Sequence, residues 1–384
     1  MKNKIVLTAA FFAASTFSFA EIALTENLSV GGFVDMSYQH ADDDNDGPND
    51  SDNTNTYQVD QVEITLSLDY GVVTGQVDLQ WTPFGQTQFD QAFTTYDLAN
   101  GFVVTAGYYD SMLGFEAFEA TGLYQVSRAY ASGTASLQAN GVPGGNGNLN
   151  ISNVITPVTN NGVKVTYEDG TQFFGVSLQD GGLFGDNRLG GDSSLRNGAA
   201  LASLAQITGA FAPFGGNNYE QSGYAIETAY ARDLGNGFNV FVGALFEETE
   251  VDQQRPGLED VETSVDTTVL NGYVTYETGA WLFAAEVIQT EMGISGAQPD
   301  IEIDSFLLMA NYTYSDQASV TARISNVDVD NFFDATKLTV AHLYAFTDNL
   351  ALALEVSSVD YDYEINNGID GDTLEGAVEL LFTF

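Results

Sequence analysis

The chain has 384 residues, of which 53 are acidic and ten are basic, so its formal charge at pH 7 is −43. A charge of this sign excludes nucleic-acid binding through the phosphates, which depends on lysine and arginine. Cysteine is absent from the sequence, which excludes disulfides and thiolate metal sites. Glycine and aromatic residues are abundant and only seven prolines occur, a composition that favours strands and tight turns over disorder.

The first 20 residues have the pattern of a secretory signal peptide. Two lysines precede an apolar run, Ile5–Ala14, and the small-x-small motif Ser18-Phe19-Ala20 follows. The apolar run is too short to cross a membrane as a helix, and no later stretch approaches the ~20 apolar residues that a spanning helix requires. We therefore expect residues 1–20 to be cleaved and residues 21–384 to form one exported domain. If that domain crosses a membrane, it must do so as a closed β-barrel.

Alternation between apolar and polar residues follows the signal peptide and continues to the last residue. It is clearest in Tyr57–Tyr70 and Val73–Trp81, which are separated by a turn at Gly71. A period of two residues is that of a β-strand whose two faces meet different media. Tyr70 and Trp81 lie where the aromatic girdles of a transmembrane barrel mark the two membrane interfaces. This hairpin therefore predicts membrane-spanning strands.

Short and long connections alternate between the predicted strands. Seven short turns and eight longer connections predict an antiparallel β-barrel of about sixteen strands, with short periplasmic turns and long extracellular loops. The predicted fold class is therefore an all-β transmembrane barrel. The short turns are Tyr70-Gly71, Asn100-Gly101, Asp169-Gly170, Asp233–Gly237, Thr278-Gly279, Ser315–Gln317 and Thr347–Asn349, and the longer connections include residues 41–56 and 83–90.

The connection at residues 111–160 carries both acids and an arginine. A loop of this kind after the fifth strand resembles the third loop of general porins, which folds into the barrel lumen and narrows it. The resemblance implies that residues 111–160 form a lumen-constricting loop and that the protein is a homotrimer. An exposed lid that stays outside the lumen is the alternative.

Short motifs in and around this loop occur in a definite order. They are Gly107-Tyr108-Tyr109, Leu113-Gly114-Phe115-Glu116, Tyr124, Ser127-Arg128 and Asn161-Gly162-Val163. This order resembles the OmpL-like β-barrel porin family. The resemblance implies a water-filled channel for passive diffusion of ions and small hydrophilic solutes across the outer membrane.

The polar face of each strand is expected to point into the lumen, because the outside of a membrane barrel is apolar. The acids on that face outnumber the bases, so the sequence predicts a weakly cation-preferring channel whose selectivity falls as salt screens the charges. Adaptation of the surface to salty surroundings is the alternative explanation of the acidity. The inward acids are Glu63, Asp69, Asp78, Glu227, Glu286, Glu355, Glu375 and Glu379.

A pore constriction is predicted from the remaining charges of the lumen. Opposite charges on its two sides would produce a transverse electric field. The acids are expected on the long loop, and the bases are expected to face them across the lumen. The predicted constriction residues are Glu116, Glu119, Arg128, Lys164, Arg323 and Lys337.

One acidic segment resembles the beginning of a calcium loop. Asp42, Asp44 and Asp46 alternate before Gly47, as in the Asp-x-Asp-x-Asp-Gly start of an EF-hand. The twelfth position is Asn53 where an EF-hand has glutamate, and no helices are predicted on either side. Calcium binding and a merely solvated acidic loop are both compatible with this pattern, and no other cofactor is predicted.

No enzymatic activity is predicted. His342 shares its strand face with Leu338, Val340 and Tyr344, and so is expected to face lipid. An outer-membrane phospholipase also carries its catalytic histidine on a lipid-facing strand, but it needs a serine two residues away. Here the residues two positions from His342 are Val340 and Tyr344. Neither is a serine, which argues against a hydrolase.

The last predicted strand, Leu374–Phe384, alternates cleanly and ends on an aromatic residue. A terminal strand ending in Phe384 resembles the signal that the barrel-assembly machinery reads in outer-membrane proteins of Gram-negative bacteria. The resemblance implies an outer-membrane location, in contact with the lipid bilayer. Two alternatives remain: a barrel with a closed lumen that serves in adhesion or surface structure through its acidic loops, and a secreted soluble β-protein.

Overall fold

The computed structural model describes twelve stretches of the chain. The predicted signal peptide, residues 1–20, lies outside the described residues. Within the described stretches, no helix has the length and apolar character needed to cross a membrane. The described residues are 21–45, 53–81, 88–130, 137–138, 148–149, 155, 159–181, 219–253, 261–295, 300–330, 333–363 and 369–384.

Sixteen antiparallel strands form one closed barrel, which confirms the predicted fold class. Each strand pairs with the strand before it and the strand after it in the chain. A further short segment, Ile22–Ala23, pairs with the first strand. The strands are β1 (Leu28–Asn45), β2 (Thr54–Asp69), β3 (Val73–Trp81), β4 (Gln88–Ala99), β5 (Phe102–Tyr109), β6 (Asn160–Glu168), β7 (Gln172–Gln179), β8 (Tyr219–Gly235), β9 (Phe238–Gln253), β10 (Val261–Thr278), β11 (Trp281–Ile294), β12 (Ile301–Ser315), β13 (Ala318–Val329), β14 (Phe333–Thr347), β15 (Leu350–Tyr363) and β16 (Ile369–Thr383).

The barrel closes between its last and first strands. The β16–β1 ladder runs from the Gly371–Asn45 pair to the Thr383–Phe33 pair. Beyond it, Phe384 and Gly32 exchange two backbone hydrogen bonds of 2.9 Å each. A side chain could not replace Gly32, because its Cβ would lie 2.2 Å from the backbone oxygen of Glu63. Closure removes the unpaired strand edges that a hydrocarbon environment does not tolerate.

The outer face of the barrel is apolar, whereas the inner face combines polar side chains with buried apolar ones such as Leu245 and Leu307. In β12 burial alternates strictly: Phe306 and Leu308 are exposed on the outside, whereas Ser305 and Leu307 are buried inside. Large aliphatic side chains outside are highly accessible, Val287 at 63% among them. An apolar exterior of this kind matches the hydrocarbon core of a bilayer. We therefore treat the strands as membrane-spanning.

Aromatic rings lie at the short-turn end of the barrel. Trp281 and Tyr312 are 4.5 Å apart between ring centroids, and Phe238 and Tyr276 are 4.2 Å apart. Each of these residues is close to a short turn. Such a belt is typical of the membrane–water interface of a transmembrane barrel.

The seven predicted short turns are the short connections of the structure, whereas several strands extend further than the sequence predicted. β1 runs to Asn45 although residues 41–56 were expected to form a loop, and β4 begins at Gln88 within an expected loop at residues 83–90. The alternation weakens in these segments because both faces of a hairpin beyond the membrane meet water. Backbone pairing still continues there without an apolar face.

Asp169 stabilises the turn between β6 and β7 through its carboxylate. Oδ1 accepts hydrogen bonds from the Thr171 backbone nitrogen at 2.9 Å, the Thr171 hydroxyl at 2.8 Å and the Gln172 backbone nitrogen at 3.0 Å. The bonds from Thr171 and Gln172 hold the pKa of Asp169 well below its usual value. Because the ionised form is favoured in the folded state, the stabilisation is fully present above the unfolded-state pKa and is lost as pH falls from there through the lower folded-state pKa.

We therefore expect Asp169→Asn to lower the unfolding temperature at neutral pH. We also expect the unfolding temperature of this variant to fall less than that of the wild type between pH 5 and pH 3. The measurement is thermal unfolding of the detergent-solubilised barrel, followed by its heat-modifiable gel mobility. Asp316→Asn, at an exposed position of the β12–β13 turn, is the control and should keep the wild-type profile. Identical profiles for wild type and Asp169→Asn would contradict the role of this carboxylate.

Candidate functional site

A loop lies inside the barrel between β5 and β6. Its described part, residues 111–130, is called the inner loop below. Leu113 is 2% exposed and contributes with Met112 to an apolar cluster that includes Phe173 of β7 and Phe241 of β9. The loop enters the barrel because these apolar residues, which follow directly after the end of β5, are buried in its interior. Polar contacts with the barrel wall then fix the path of the loop.

The first polar anchor of the inner loop is Glu227 of β8. Its carboxylate is fully buried and accepts hydrogen bonds from the Ser111 hydroxyl and the Met112 backbone nitrogen, both at 2.6 Å. Two bonds to one carboxylate satisfy backbone and side-chain donors that would otherwise be buried without a partner. Glu227 therefore fixes the point at which the chain enters the lumen.

The second anchor joins β10 and β11. Asn271 accepts a bond from the Gly114 backbone nitrogen at 3.0 Å, and Glu286 accepts one from the Phe115 backbone nitrogen at 2.7 Å. The other oxygen of Glu286 accepts the Tyr130 hydroxyl at 3.0 Å. A single carboxylate thus holds both the early and the late part of the inner loop.

The third anchor is Arg323 of β13, whose side chain is completely buried. One of its guanidinium nitrogens lies 2.5 Å from the Glu116 carboxylate. The guanidinium also donates to the backbone oxygens of Ser127 at 2.9 Å and Arg128 at 3.1 Å. Glu116 in turn accepts the Ala129 backbone nitrogen at 2.7 Å. This pair therefore ties two separate stretches of the loop to each other and to the wall.

The fourth anchor is Glu355 of β15. One oxygen accepts the backbone nitrogens of Val126 at 2.8 Å and Ser127 at 3.0 Å, and the other accepts the Ser127 hydroxyl. Glu227, Glu286 and Glu355 were predicted from strand parity to be inward acids, and all three are buried at inner-face positions. The sequence did not indicate that their carboxylates would accept bonds from the loop backbone.

The predicted constriction residues are distributed over separate places. Glu116 and Arg323 are together, while Arg128 donates to the backbone oxygen of Phe118. Lys164 donates to the backbone oxygen of Asp110 at 3.2 Å, and Lys337 lies 3.2 Å from Glu375. Each of these bases therefore contacts a nearby group, and a transverse field across the lumen stays a prediction.

Glu119, the remaining predicted constriction residue, lies among other acids. One carboxylate oxygen of Glu119, one of Glu63 and one of Asp90 are all within 4.8 Å of one another. Burial, together with the charges of Glu63, Asp90 and Asp110, raises the pKa of the Glu119 carboxyl well above its ordinary value. Sequence analysis missed Asp90, because its strand was predicted to begin after that residue.

A cavity of ≈ 460 Å³ lies between the inner loop and the wall formed by the early strands. Its acidic lining includes Glu63, Asp78, Asp110 and Glu119, and its lining also contains Lys164. Asp69, predicted to face the lumen, is exposed at the short-turn end, where it accepts the Gly71 backbone nitrogen at 2.8 Å. These four lining acids come from β2, β3, the residue that follows β5, and the inner loop.

Two predicted sites, the calcium segment and Phe384, and the histidine His342 are separate from the inner loop. Asp42 and Asp44 are exposed at alternate positions of β1, and Asp46 lies outside the described residues. A calcium site at these residues stays a prediction, as does an assembly signal at Phe384. The His342 Nε2 atom of β14 lies 2.6 Å from the hydroxyl of Tyr314, which is near the end of β12.

No protein-family model matches the sequence, and no curated protein matches it. Solved structures of similar fold include the trimer form of OmpT, an outer-membrane protein of Vibrio cholerae, at 11% identity and a TM-score of 0.55, covering 93% of this chain and 99% of OmpT. The chain has the porin barrel fold. The anion-selective porin of Comamonas acidovorans is 13% identical with a TM-score of 0.54, covering 93% of this chain and 99% of the porin. The outer-membrane channel DcaP of Acinetobacter baumannii is 11% identical with a TM-score of 0.56, covering 94% of this chain and 99% of DcaP.

Proposed function

We propose that the protein is an outer-membrane porin through which ions and small hydrophilic solutes diffuse passively, with a weak preference for cations. The observation that carries the proposal is the arrangement of the inner loop. Its contacts with Glu227, Glu286, Arg323 and Glu355 hold it against the strands β8 to β15, and a cavity remains on its other side, toward the early strands. A loop held to one side narrows a lumen and leaves a path for solutes.

The preference for cations follows from the lining of that cavity. Six carboxyl groups contribute to it, compared with the single amine of Lys164; they belong to Glu21, Glu63, Asp78, Asp110, Glu116 and Glu119. Carboxylates concentrate cations and repel anions, and salt screens this effect. Glu227, Glu286 and Glu355 contribute less to selectivity than their number indicates, because the loop already occupies their oxygens. Residues 111–160 act as the constricting loop in this proposal.

Location and assembly are part of the same proposal. The apolar exterior and the fold shared with outer-membrane channels support insertion into the outer membrane by the barrel-assembly machinery, which would read the terminal Phe384. A homotrimer is proposed from the trimer form of OmpT. Membership of the narrower OmpL-like group rests on the loop motifs alone.

The test is single-channel recording of the refolded protein in a planar bilayer under a salt gradient. We expect stepwise conductance and a reversal potential of cation-selective sign. Glu63→Gln combined with Asp78→Asn should shift that potential toward zero, because both side chains line the cavity. Glu250→Gln combined with Glu302→Gln removes the same charge from exposed positions and should leave the potential unchanged.

The closed-barrel alternative gives a different result in the same experiment. Protein that is folded and inserted, as shown by heat-modifiable mobility and flotation with liposomes, would then carry no current. That outcome would refute the porin proposal and favour a role in adhesion or surface structure. Conductance with no ion preference would refute only the proposed preference for cations.

A further inference from the structure

Three carboxylates from three separate elements converge at one side of the cavity. Glu63 comes from β2, Asp90 from β4 and Glu119 from the inner loop, and one oxygen of each lies within 4.8 Å of the other two. Three carboxylates at these distances repel one another strongly where protein excludes water, if all are ionised. Their convergence is therefore unfavourable unless protons or a bound cation offset the negative charge.

A second observation concerns Asp78, which lines the same cavity as Glu63 and Glu119. Asp78 is only 1% exposed, and its Oδ1 atom has no hydrogen-bond partner among the described residues. Its other oxygen accepts Gln76 at 2.7 Å. A buried carboxylate oxygen without a partner is costly, and such oxygens are normally satisfied by a donor, water or an ion.

Hydrogen bonds from a neighbouring side chain also fix two carboxylates of the cluster. Gln61 Nε2 donates to the Glu119 carboxylate at 2.8 Å and to the Glu63 carboxylate at 3.3 Å. Metal ligands are commonly oriented in this way by neighbouring hydrogen bonds. Carboxylate oxygens are the ligands that Ca²⁺ and Mg²⁺ prefer, and Ca²⁺ tolerates an irregular arrangement of six to eight oxygens.

We propose that Glu63, Asp90 and Glu119 bind an oxygen-preferring divalent cation such as Ca²⁺ inside the lumen, beside the cavity that the buried Asp78 lines together with Glu63 and Glu119. The bound cation connects the inner loop to β2 and β4. The four anchors described above lie on the opposite side, on β8 to β15, so the ion completes the attachment of the loop. This site is separate from the predicted calcium loop at residues 42–46, and it does not depend on whether the barrel conducts.

The test measures binding of Mn²⁺ to the folded protein in detergent after treatment with EDTA. Electron paramagnetic resonance reports free Mn²⁺, and Ca²⁺ and Mg²⁺ are then added as competitors. We expect one site per chain with a dissociation constant on the order of 10⁻⁴ to 10⁻³ M or lower, as in extracellular calcium modules. Asp90→Asn combined with Glu119→Gln should abolish this site, and Glu63→Gln alone should weaken it.

Two control variants separate this site from the general acidity of the chain. Glu250→Gln combined with Glu302→Gln removes two exposed charges and should retain the site. Asp42→Asn combined with Asp44→Asn tests the predicted calcium loop and should also retain it. Heat-modifiable mobility shows in each case that the barrel is folded.

A second readout is thermal stability, because a ligand that binds only the folded state stabilises it. Ca²⁺ should raise the unfolding temperature of the wild type more than that of the Asp90→Asn, Glu119→Gln variant. Equal Mn²⁺ binding by these two proteins would overturn the proposal, and so would loss of the site in the Asp42→Asn, Asp44→Asn variant. Absence of current in the bilayer experiment would leave this proposal unaffected.

Discussion

Replacing Arg323 with methionine is expected to release the inner loop from β13 and to lower the free energy of unfolding by about 3–5 kcal/mol. The guanidinium is fully buried, pairs with Glu116 at 2.5 Å and donates to the backbone oxygens of Ser127 and Arg128. Methionine fills much of the volume but leaves the Glu116 carboxylate and two backbone oxygens without this donor. Denaturant unfolding measures the loss, and single-channel recording should show a larger or more variable conductance.

A double-mutant cycle separates the ion pair from the other bonds of Arg323. Arg323→Met combined with Glu116→Gln removes the uncompensated carboxylate and should be less destabilised than Arg323→Met alone. Arg323→Lys keeps the charge, but its single amine cannot reproduce the several directed bonds of a guanidinium, so an intermediate loss is expected. Wild-type stability and conductance in Arg323→Met would contradict the assignment of Arg323 as an anchor.

The strands and short turns of the barrel could be predicted because their causes are local. Lipid outside and polar groups inside impose a period of two on strands such as Tyr57–Tyr70, and turns such as Asn100-Gly101 require backbone angles that asparagine and glycine adopt readily. The same parity correctly placed Glu227, Glu286 and Glu355 on the inner face. Strand ends were less predictable, because beyond the membrane both faces meet water and the alternation fades.

The path of the inner loop could not be predicted, because its contacts join residues far apart in the chain. Glu116 and Arg323 are separated by 207 positions, and Val126 and Glu355 by 229. No periodic pattern links such residues, so parity indicated which side chains point inward but not what they bind. The transverse field stays a prediction, and parity did not indicate that Arg323 would pair with Glu116 or Lys337 with Glu375. The acidic cluster at Asp90 was missed for the related reason that the start of β4 was misplaced.

Glu355 provides the sharpest test of this difference between an anchor and a free lumen charge. Its two oxygens accept the Val126 and Ser127 backbone nitrogens and the Ser127 hydroxyl. Glu355→Gln replaces one accepting oxygen by an NH₂ group that faces donors, so bonds to a charged acceptor are lost. Since each such bond contributes roughly 1.5–3 kcal/mol, we expect the free energy of unfolding to fall by about 3 kcal/mol.

Substitution of Glu355 should therefore change the stability of the protein more than its ion selectivity. Substitution at the cavity should have the opposite balance of effects. Glu355→Gln should lower stability and increase current fluctuations while changing the reversal potential little, because the loop already neutralises much of the effect of this carboxylate on passing ions. Glu63→Gln should shift the reversal potential, since Glu63 lines the cavity. Glu355→Asp, which keeps the charge but shortens the side chain, should resemble Glu355→Gln in stability. If Glu355→Gln instead shifted the reversal potential at unchanged stability, Glu355 would be a free lumen charge and the loop would be held by its other contacts.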